Sequence, residues 1–197
     1  MNQQYKTIVE WVDKNAHVLD LGCGDGQLLL YLKQAKQING YGLEIDVNKL
    51  TNAVAKGINV LKYDLNDGLH KFHSHSFDYA LLTFTLQSVR NPDVLLDDML
   101  RVAKQAVVTF PNFNHWRHLY QLIFKRRMPV SNSIPYTWYN SPNIHLCTLR
   151  DFEILCREKN ITILQRNIID NNEKPSWLSK SWPNFYAPAA LYRISKL

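Results

Sequence analysis

Closely spaced glycines with an acid in front of them are the part of the sequence best suited to chemistry. Gly22, Gly24 and Gly26 alternate with other residues, and Asp20 stands two positions before the first of them. Glycine is needed where the backbone takes a positive φ or passes close to a ligand. The run follows a short apolar stretch, and the first amide groups of a helix beginning there would face an anion. The spacing therefore predicts a ligand-binding turn between a strand and a helix.

The residue after the glycines distinguishes between two kinds of ligand. A dinucleotide-binding turn has the pattern GxGxxG, which would place its third glycine at position 27. That position holds Gln27, and the pattern here is GxGxG. S-adenosylmethionine suits this arrangement better, because its carboxylate can meet the helix amides and its ammonium can meet Asp20. The sequence thus predicts a site for S-adenosylmethionine or for its product S-adenosylhomocysteine.

Two more acids stand at the ends of the next two predicted strands. Glu44 is placed where a carboxylate can accept hydrogen bonds from the two ribose hydroxyls of the cofactor. Asp64 is placed where a carboxylate can accept a hydrogen bond from the exocyclic amine of its adenine. Because the carboxyl ends of parallel strands meet at one edge of a sheet, these acids and Asp20 point into one crevice. In the alternative, purely structural interpretation, the glycines only make turns and the acids cap helices. The predicted cofactor-binding residues are Asp20, Gly22, Cys23, Gly24, Gly26, Glu44, Ile45, Asp64 and Leu65.

The order of apolar runs predicts the elements that position these residues. Strands and helices alternate at least five times, which is typical of a parallel sheet with helices on both faces. The predicted fold is α/β, a Rossmann-like doubly wound sheet in a single domain of residues 1–197. The predicted strands are 16–21, 40–46, 58–63, 77–84, 106–110, 161–169 and 189–194. The predicted helices are 5–12, 28–32, 50–56, one that begins near 93, 116–124 and one that ends at 159.

A segment of different composition, about residues 112–148, is inserted after the fifth predicted strand. It combines tryptophans, tyrosines and prolines with polar residues, and its aromatic content favours an ordered loop over disorder. Thr148 and Asp151 resemble a capping box at its end. The aromatic side chains can pack as a lid over the crevice, stack on a nucleic-acid base or contact a partner protein. A second, polar loop is predicted at 171–181.

Motifs around these elements resemble known families. The glycine turn, Glu44, Asp64 and the fourth strand are similar to the motifs of class I S-adenosylmethionine-dependent methyltransferases over residues 16–111. That resemblance implies a mostly parallel, seven-stranded sheet with a reversed last strand, which fits the strand at 189–194. A second resemblance covers nearly the whole chain and fades after about residue 170. It rests on the strings at 85–92, 110–113, 127–130, 134–139 and 142–148, which look like those of the methionine biosynthesis protein MetW family.

The MetW resemblance implies a role in bacterial methionine synthesis. Members of that family are linked to a homoserine O-acyltransferase, which they support as partners, and they carry a methyltransferase fold without a well-established methyl acceptor. We therefore expect a protein that binds S-adenosylmethionine and acts with a homoserine O-acyltransferase. One alternative is an active methyltransferase on a small molecule, and an RNA methyltransferase ranks last.

No clear catalytic motif accompanies the crevice. Positioning alone supplies most of the rate of methyl transfer, so the absence of a catalytic motif does not exclude activity. His145 and Tyr136 are the candidates on the acceptor side, because both lie in the inserted segment and an imidazole can act as a base near neutral pH. In the alternative interpretation, His145 forms a hydrogen bond within the loop and Tyr136 packs it.

Composition limits the remaining possibilities. The net charge is +6, and residues 125–127 are all basic, but the positive charge is spread along the chain and makes a nucleic-acid partner unlikely in our interpretation. Three cysteines without CxxC spacing, together with scattered histidines, predict reduced thiols and no metal site. No apolar run approaches the roughly 20 residues of a membrane span, and no signal peptide precedes the fold, so we expect a cytoplasmic location.

Overall fold

The computed structural model describes residues 3–169 and 181–196, and these form one seven-stranded sheet packed between helices. The strands are β1 His17–Leu21, β2 Asn39–Glu44, β3 Asn59–Lys62, β4 Phe77–Thr83, β5 Ala103–Pro111, β6 Ile161–Ile169 and β7 Ala189–Lys196. Their order in the sheet is β3-β2-β1-β4-β5-β7-β6. Strands β1 to β5 pair in parallel, whereas β7 lies antiparallel between β5 and β6. The predicted doubly wound sheet with a reversed last strand is confirmed.

Helices cover both faces of the sheet because successive strand residues point to opposite sides. Within β1, Val18 packs into one apolar cluster with the helices at 3–11 and 27–36, and Leu19 packs into the other with the helices at 92–102 and 149–158. The helices in the described residues are α1 Gln3–Trp11, α2 Gln27–Lys36, α3 Val47–Ala55, α4 Pro92–Val102, α5 Trp116–Ile123, α6 Leu149–Glu158 and α7 Pro183–Tyr186. None of these helices combines the length and the apolar character that crossing a membrane requires.

Caps explain two of the helix boundaries. The predicted capping box is present, since the Thr148 hydroxyl accepts a hydrogen bond from the Asp151 amide at 3.2 Å and the Asp151 carboxylate accepts one from the Thr148 amide at 3.3 Å. The second strand ends at Glu44 rather than at residue 46 as predicted. Asp46 instead begins α3, because its carboxylate accepts hydrogen bonds from the amides of Asn48 and Lys49.

The inserted segment begins with α5 and then runs from 124 to 148 without helix or strand. Asn112 fixes its start, since the amide nitrogen of this buried side chain donates to the carbonyl oxygens of Asn184 and Ala187 at 2.9 and 2.8 Å. His118 of α5 is fully buried between the Asn112 carbonyl and the Ser131 hydroxyl. These bonds attach the segment to β5 and to the chain before β7. The predicted loop at 171–181 lies almost entirely outside the described residues.

Candidate functional site

A cavity of about 410 Å³ opens at the carboxyl ends of the parallel strands. The chain runs from β1 outward to β3 and then returns to β4 on the other side of β1, so the strand order reverses between β1 and β4. Such reversal points are where open α/β sheets bind ligands, and the volume is in the usual range of small-molecule pockets. Six of the nine predicted cofactor-binding residues line the cavity: Gly22, Gly24, Glu44, Ile45, Asp64 and Leu65.

The three glycines of the turn all have positive φ, of 73°, 57° and 73°, but for different reasons. A Cβ on Gly22 would lie 2.7 Å from the Thr85 hydroxyl, and one on Gly26 would lie 3.0 Å from the Ala53 Cβ. A Cβ on Gly24 would meet nothing within 4 Å, because this glycine faces the cavity. Gly22 and Gly26 therefore serve close packing within the protein, whereas Gly24 leaves room for a ligand.

Glu44 holds the turn in place. One of its carboxylate oxygens accepts a hydrogen bond from the Gly24 amide at 2.8 Å, and the other accepts from the amides of Ile45 and Asp46, both at 2.9 Å. A carboxylate has about four acceptor sites, so three are in use. The oxygen that faces Gly24 keeps capacity for one further donor.

Asp20 is a buried carboxylate without a donor. It is 1% exposed, and neither of its oxygens has a hydrogen-bond partner. Burial, and after it the negative charge of Glu44, raise the pKa of Asp20 to about 7. Burial and then the charge of Asp20 also raise the pKa of Tyr5, which places α1 within electrostatic reach of this acid. Asp20 is not among the residues that line the cavity, but it stands two positions before Gly22, which does line it.

The adenine side of the predicted site is open and partly apolar. Asp64 lines the cavity, and its Oδ1 accepts hydrogen bonds from the main-chain and side-chain nitrogens of Asn66 at 2.9 and 2.8 Å. Ile45 is 55% exposed, while Leu65 is half-buried. Both thus offer apolar surface beside a carboxylate that has an oxygen in reserve, which suits a flat, hydrogen-bonding ring.

Cys23 and Gly26, like Asp20, do not line the cavity. Cys23 is packed against Gly42 of β2, where a Cβ would collide with its sulfur. Burial, with smaller contributions from the charges of Asp20 and Glu44, raises the pKa of the Cys23 thiol to about 12. In this geometry Cys23 is an inert packing residue.

The structure places the two candidate catalytic residues differently. Tyr136 lines the cavity and also a second one of about 260 Å³ beside it. His145 lines neither, and its Nε2 is 3.1 Å from the Arg90 carbonyl oxygen. A carbonyl can only accept, so Nε2 is the donor in this contact. His145 is therefore bound to the main chain of the string at 85–92, which lies outside the inserted segment.

Sequence reasoning missed the wall that follows β4. Phe84, Thr85, Ser88 and Val89 line the cavity, as does Lys49 of α3. Phe84 has a φ of 52°, which is uncommon for a bulky residue, and its amide donates to Thr109 of β5. The available signal was position: these residues come directly after a buried strand, at the edge where the acids were predicted to meet.

Within 3–169 and 181–196, no three His, Cys, Asp or Glu side chains are grouped so that they could hold a metal ion.

Comparison with solved structures identifies the class of protein. An S-adenosylmethionine dependent methyltransferase from Mesorhizobium loti superposes with a TM-score of 0.72 at 15% identity, covering 98% of this chain and 97% of that one. A possible histamine N-methyltransferase from Thermotoga maritima gives a TM-score of 0.65 at 15% identity, covering 100% and 90%. Such low identities show the fold alone. The chain has the class I methyltransferase fold, whose usual ligand is S-adenosylmethionine.

Sequence comparison identifies the family. The family model of the methionine biosynthesis protein MetW matches residues 2–194, and the chain belongs to the MetW family. The bifunctional methionine biosynthesis protein MetXA/MetW of Rhodopirellula baltica is 32% identical over 97% of this chain, which spans 32% of that protein. A demethylmenaquinone methyltransferase of Shouchella clausii is 26% identical, covering 77% of this chain and 74% of the relative. The predicted role in methionine biosynthesis is confirmed at the level of the family.

Proposed function

We propose that this chain binds S-adenosylmethionine in the cavity beside the glycine turn and acts with a homoserine O-acyltransferase in methionine biosynthesis. The buried, donor-free carboxylate of Asp20 carries the first half of the proposal. A buried polar group without a partner is costly, and an ammonium bound at the turn would supply the missing donor.

Each part of the cofactor has a matching group in this chain. The methionyl carboxylate meets the amides of the turn, where Gly24 leaves space. One ribose hydroxyl donates to the Glu44 oxygen that already accepts from Gly24, rather than both hydroxyls as the sequence suggested. Asp64 accepts a hydrogen bond from the adenine amine, while Ile45 and Leu65 contact the adenine ring. When bound, the cofactor supplies a methyl group on a positively charged sulfur.

The partner half of the proposal is supported by the relative from Rhodopirellula baltica. There, a MetW-like part is one third of a protein whose name also includes MetXA. Fusion keeps two proteins together at high effective concentration, which is useful where they act on each other. As S-adenosylmethionine is made from methionine, its binding would report the output of the pathway to the acyltransferase.

Calorimetry and co-purification test this function. We expect S-adenosylmethionine to bind with one site per chain, and the chain to co-elute in size exclusion with the homoserine O-acyltransferase of the same organism. The elution is run with and without the cofactor, since a regulatory ligand must change the amount of complex. Two independent peaks at micromolar concentration under both conditions would count strongly against the partnership, and absence of a heat signal would count against the cofactor site.

The second candidate function is methyl transfer to a small molecule. The observation that favours it is the second cavity, which shares Phe84, Ser88, Tyr136 and Pro142 with the first. A molecule there would lie next to the cofactor in a pocket of hydroxyl and amide side chains. A screen of amino-acid and thiol acceptors with methyl-labelled cofactor tests it, and no transfer despite tight cofactor binding would favour the regulatory role.

A further inference from the structure

Helix α5 presents its apolar side to solvent and a histidine to the interior. Trp116, Tyr120, Ile123 and Phe124, the residue that follows the helix, are 39%, 48%, 64% and 72% exposed, whereas His118 is fully buried. Positions separated by three, four and seven residues lie on one side of a helix, so these four side chains form a single apolar stripe. In an ordinary surface helix such a stripe faces the core, and its exposure marks an interaction site.

Helix α5 cannot rotate about its axis to bury the stripe. Both ring nitrogens of His118 are in use, Nδ1 with the Asn112 carbonyl at 3.0 Å and Nε2 with the Ser131 hydroxyl at 2.8 Å. Rotation would break both bonds inside the protein, where an unpaired polar group is costly. The outward orientation of the stripe is therefore built into the fold.

The aromatic rings of the stripe are already ordered by their neighbours. Tyr120 and Phe124 pack at 5.3 Å between ring centroids, the Arg117 guanidinium lies 5.3 Å from the Trp116 ring, and the Lys125 ammonium lies 5.8 Å from the Tyr120 ring. Trp, Tyr and Arg are the residue types that dominate binding energy at protein interfaces. Ordered side chains also lose less freedom on binding.

The charge of the inserted segment itself has one sign. From 112 to 148 the chain has four basic residues, Arg117, Lys125, Arg126 and Arg127, and no Asp or Glu. The stripe therefore fits an apolar groove with an acidic rim. A second copy of the chain would bring two basic rims together, which opposes self-association through this face.

We infer that this stripe with its basic rim, residues 116–127, is the surface that docks onto an acid-rimmed apolar groove of the homoserine O-acyltransferase. The inference rests on the proposed partnership and adds the surface through which the two proteins bind each other. None of these residues lines the cofactor cavity, so the docked chain keeps that cavity open to its ligand. Docking at α5 and binding at the glycine turn thus use different residues of the chain.

Binding measurements with matched variants test the surface. The purified acyltransferase is titrated against wild-type chain, the double variant Tyr120→Ser/Phe124→Ser, and the double control Val54→Ser/Val94→Ser, whose valines are similarly exposed on α3 and α4. We expect the first variant to bind at least roughly 30-fold more weakly and the control to match the wild type. Arg126→Glu/Arg127→Glu should slow association and remove most of its salt dependence. Unchanged melting temperature and cofactor affinity serve as fold controls.

The outcomes separate the surface from the partnership. If the wild type binds and both the stripe variant and the charge variant bind equally well, the surface is wrong and the partnership stands. If the wild type does not bind the acyltransferase, both are wrong. Two further results would overturn the inference: a dimer in sedimentation velocity that the stripe variant loses, or wild-type binding to vesicles of phosphatidylserine and phosphatidylcholine that the stripe variant loses.

Discussion

The two sides of the ligand cavity are built by different means. The side formed by the ends of β1, β2 and β3 combines main-chain groups and carboxylates with the apolar side chains of Ile45 and Leu65, and Glu44 holds three amides in position. The side that follows β4 consists of side chains such as Phe84 and Tyr136. The first kind of wall suits a fixed ligand, since glycine spacing and amide direction admit little variation. The second kind can change with the acceptor or partner, and it contains the strings that identify the family.

Two of the family-specific strings, 85–92 and 142–148, meet at this second wall. The Gln87 carbonyl accepts hydrogen bonds from the amides of Ile144 and His145 at 2.9 and 3.0 Å, and the His145 ring donates to the Arg90 carbonyl. The inserted segment is thereby bound to the end of β4. Substitutions on the two sides should therefore have separable effects, large on cofactor binding for the first wall and small for the second.

The largest effect is expected at Gly24. The substitution Gly24→Leu places a side chain in the cavity and should abolish S-adenosylmethionine binding, measured by calorimetry. Gly57→Leu is the matched control, because Gly57 also has a positive φ and open space around it but lies outside the cavity. Equal loss of binding in both variants would trace the effect to backbone strain and contradict the assignment.

A smaller loss is expected at Glu44. The change Glu44→Ala removes a charged acceptor for the ribose and frees three amides, so affinity should fall by about 1.5–3 kcal/mol, roughly 10- to 150-fold. Asp46→Asn is the control, since Asp46 caps α3 without lining the cavity. Calorimetric titration of both variants checks this expectation. An unchanged affinity for Glu44→Ala would show that Glu44 does not contact the ribose.

Asp20 should link cofactor binding to pH. Burial and the charge of Glu44 raise its pKa from 3.8 to about 7, so the folded chain holds a proton that the unfolded chain loses near pH 4. Asp20 therefore makes its full contribution to the free energy of unfolding below about pH 4, and this contribution is lost as the pH rises to about 7. Asp20→Asn should therefore raise the free energy of unfolding of the ligand-free protein by ~2 kcal/mol at about pH 8 and change it little at about pH 4, in urea titrations.

The same variant should bind S-adenosylmethionine roughly 10-fold more weakly, because the neutral amide replaces a charged acceptor. Wild-type affinity should increase between about pH 6 and pH 7.5 as Asp20 ionises, while that of Asp20→Asn stays flat. A wild-type affinity that is independent of pH in this range would show that the ammonium does not meet Asp20.

The smallest effects are expected on the second wall. Tyr136→Phe and His145→Ala should each change cofactor affinity by less than about 3-fold, as is usual for substitutions at half-exposed positions. If an acceptor is found, Tyr136→Phe should lower its turnover while His145→Ala does not, because only Tyr136 lines the two cavities. Loss of cofactor binding in either variant would contradict the idea that only the first side of the cavity determines cofactor affinity.

The sequence was a good guide to the first wall and a poor one to the second. Glu44 and Asp64 could be placed because strand ends converge and glycine patterns have few uses. That Asp20 and Gly26 do not line the cavity depends on how β1 and α3 pack, and spacing does not contain that information. The burial of His118 and the exposure of Phe124 were equally hidden, since α5 reverses the usual relation between polarity and burial.

The position of β7 has a consequence for synthesis. It is the last of the seven strands to be translated, yet β5 and β6 both pair with it. While the ribosome is still adding residues 189–196, β5 has a bare edge and β6 has no neighbour in the sheet. Bare edges invite pairing between nascent chains, so this half of the molecule is vulnerable to aggregation until translation passes β7. Stalled or prematurely terminated chains should therefore accumulate as insoluble material even though the glycine turn has already been made.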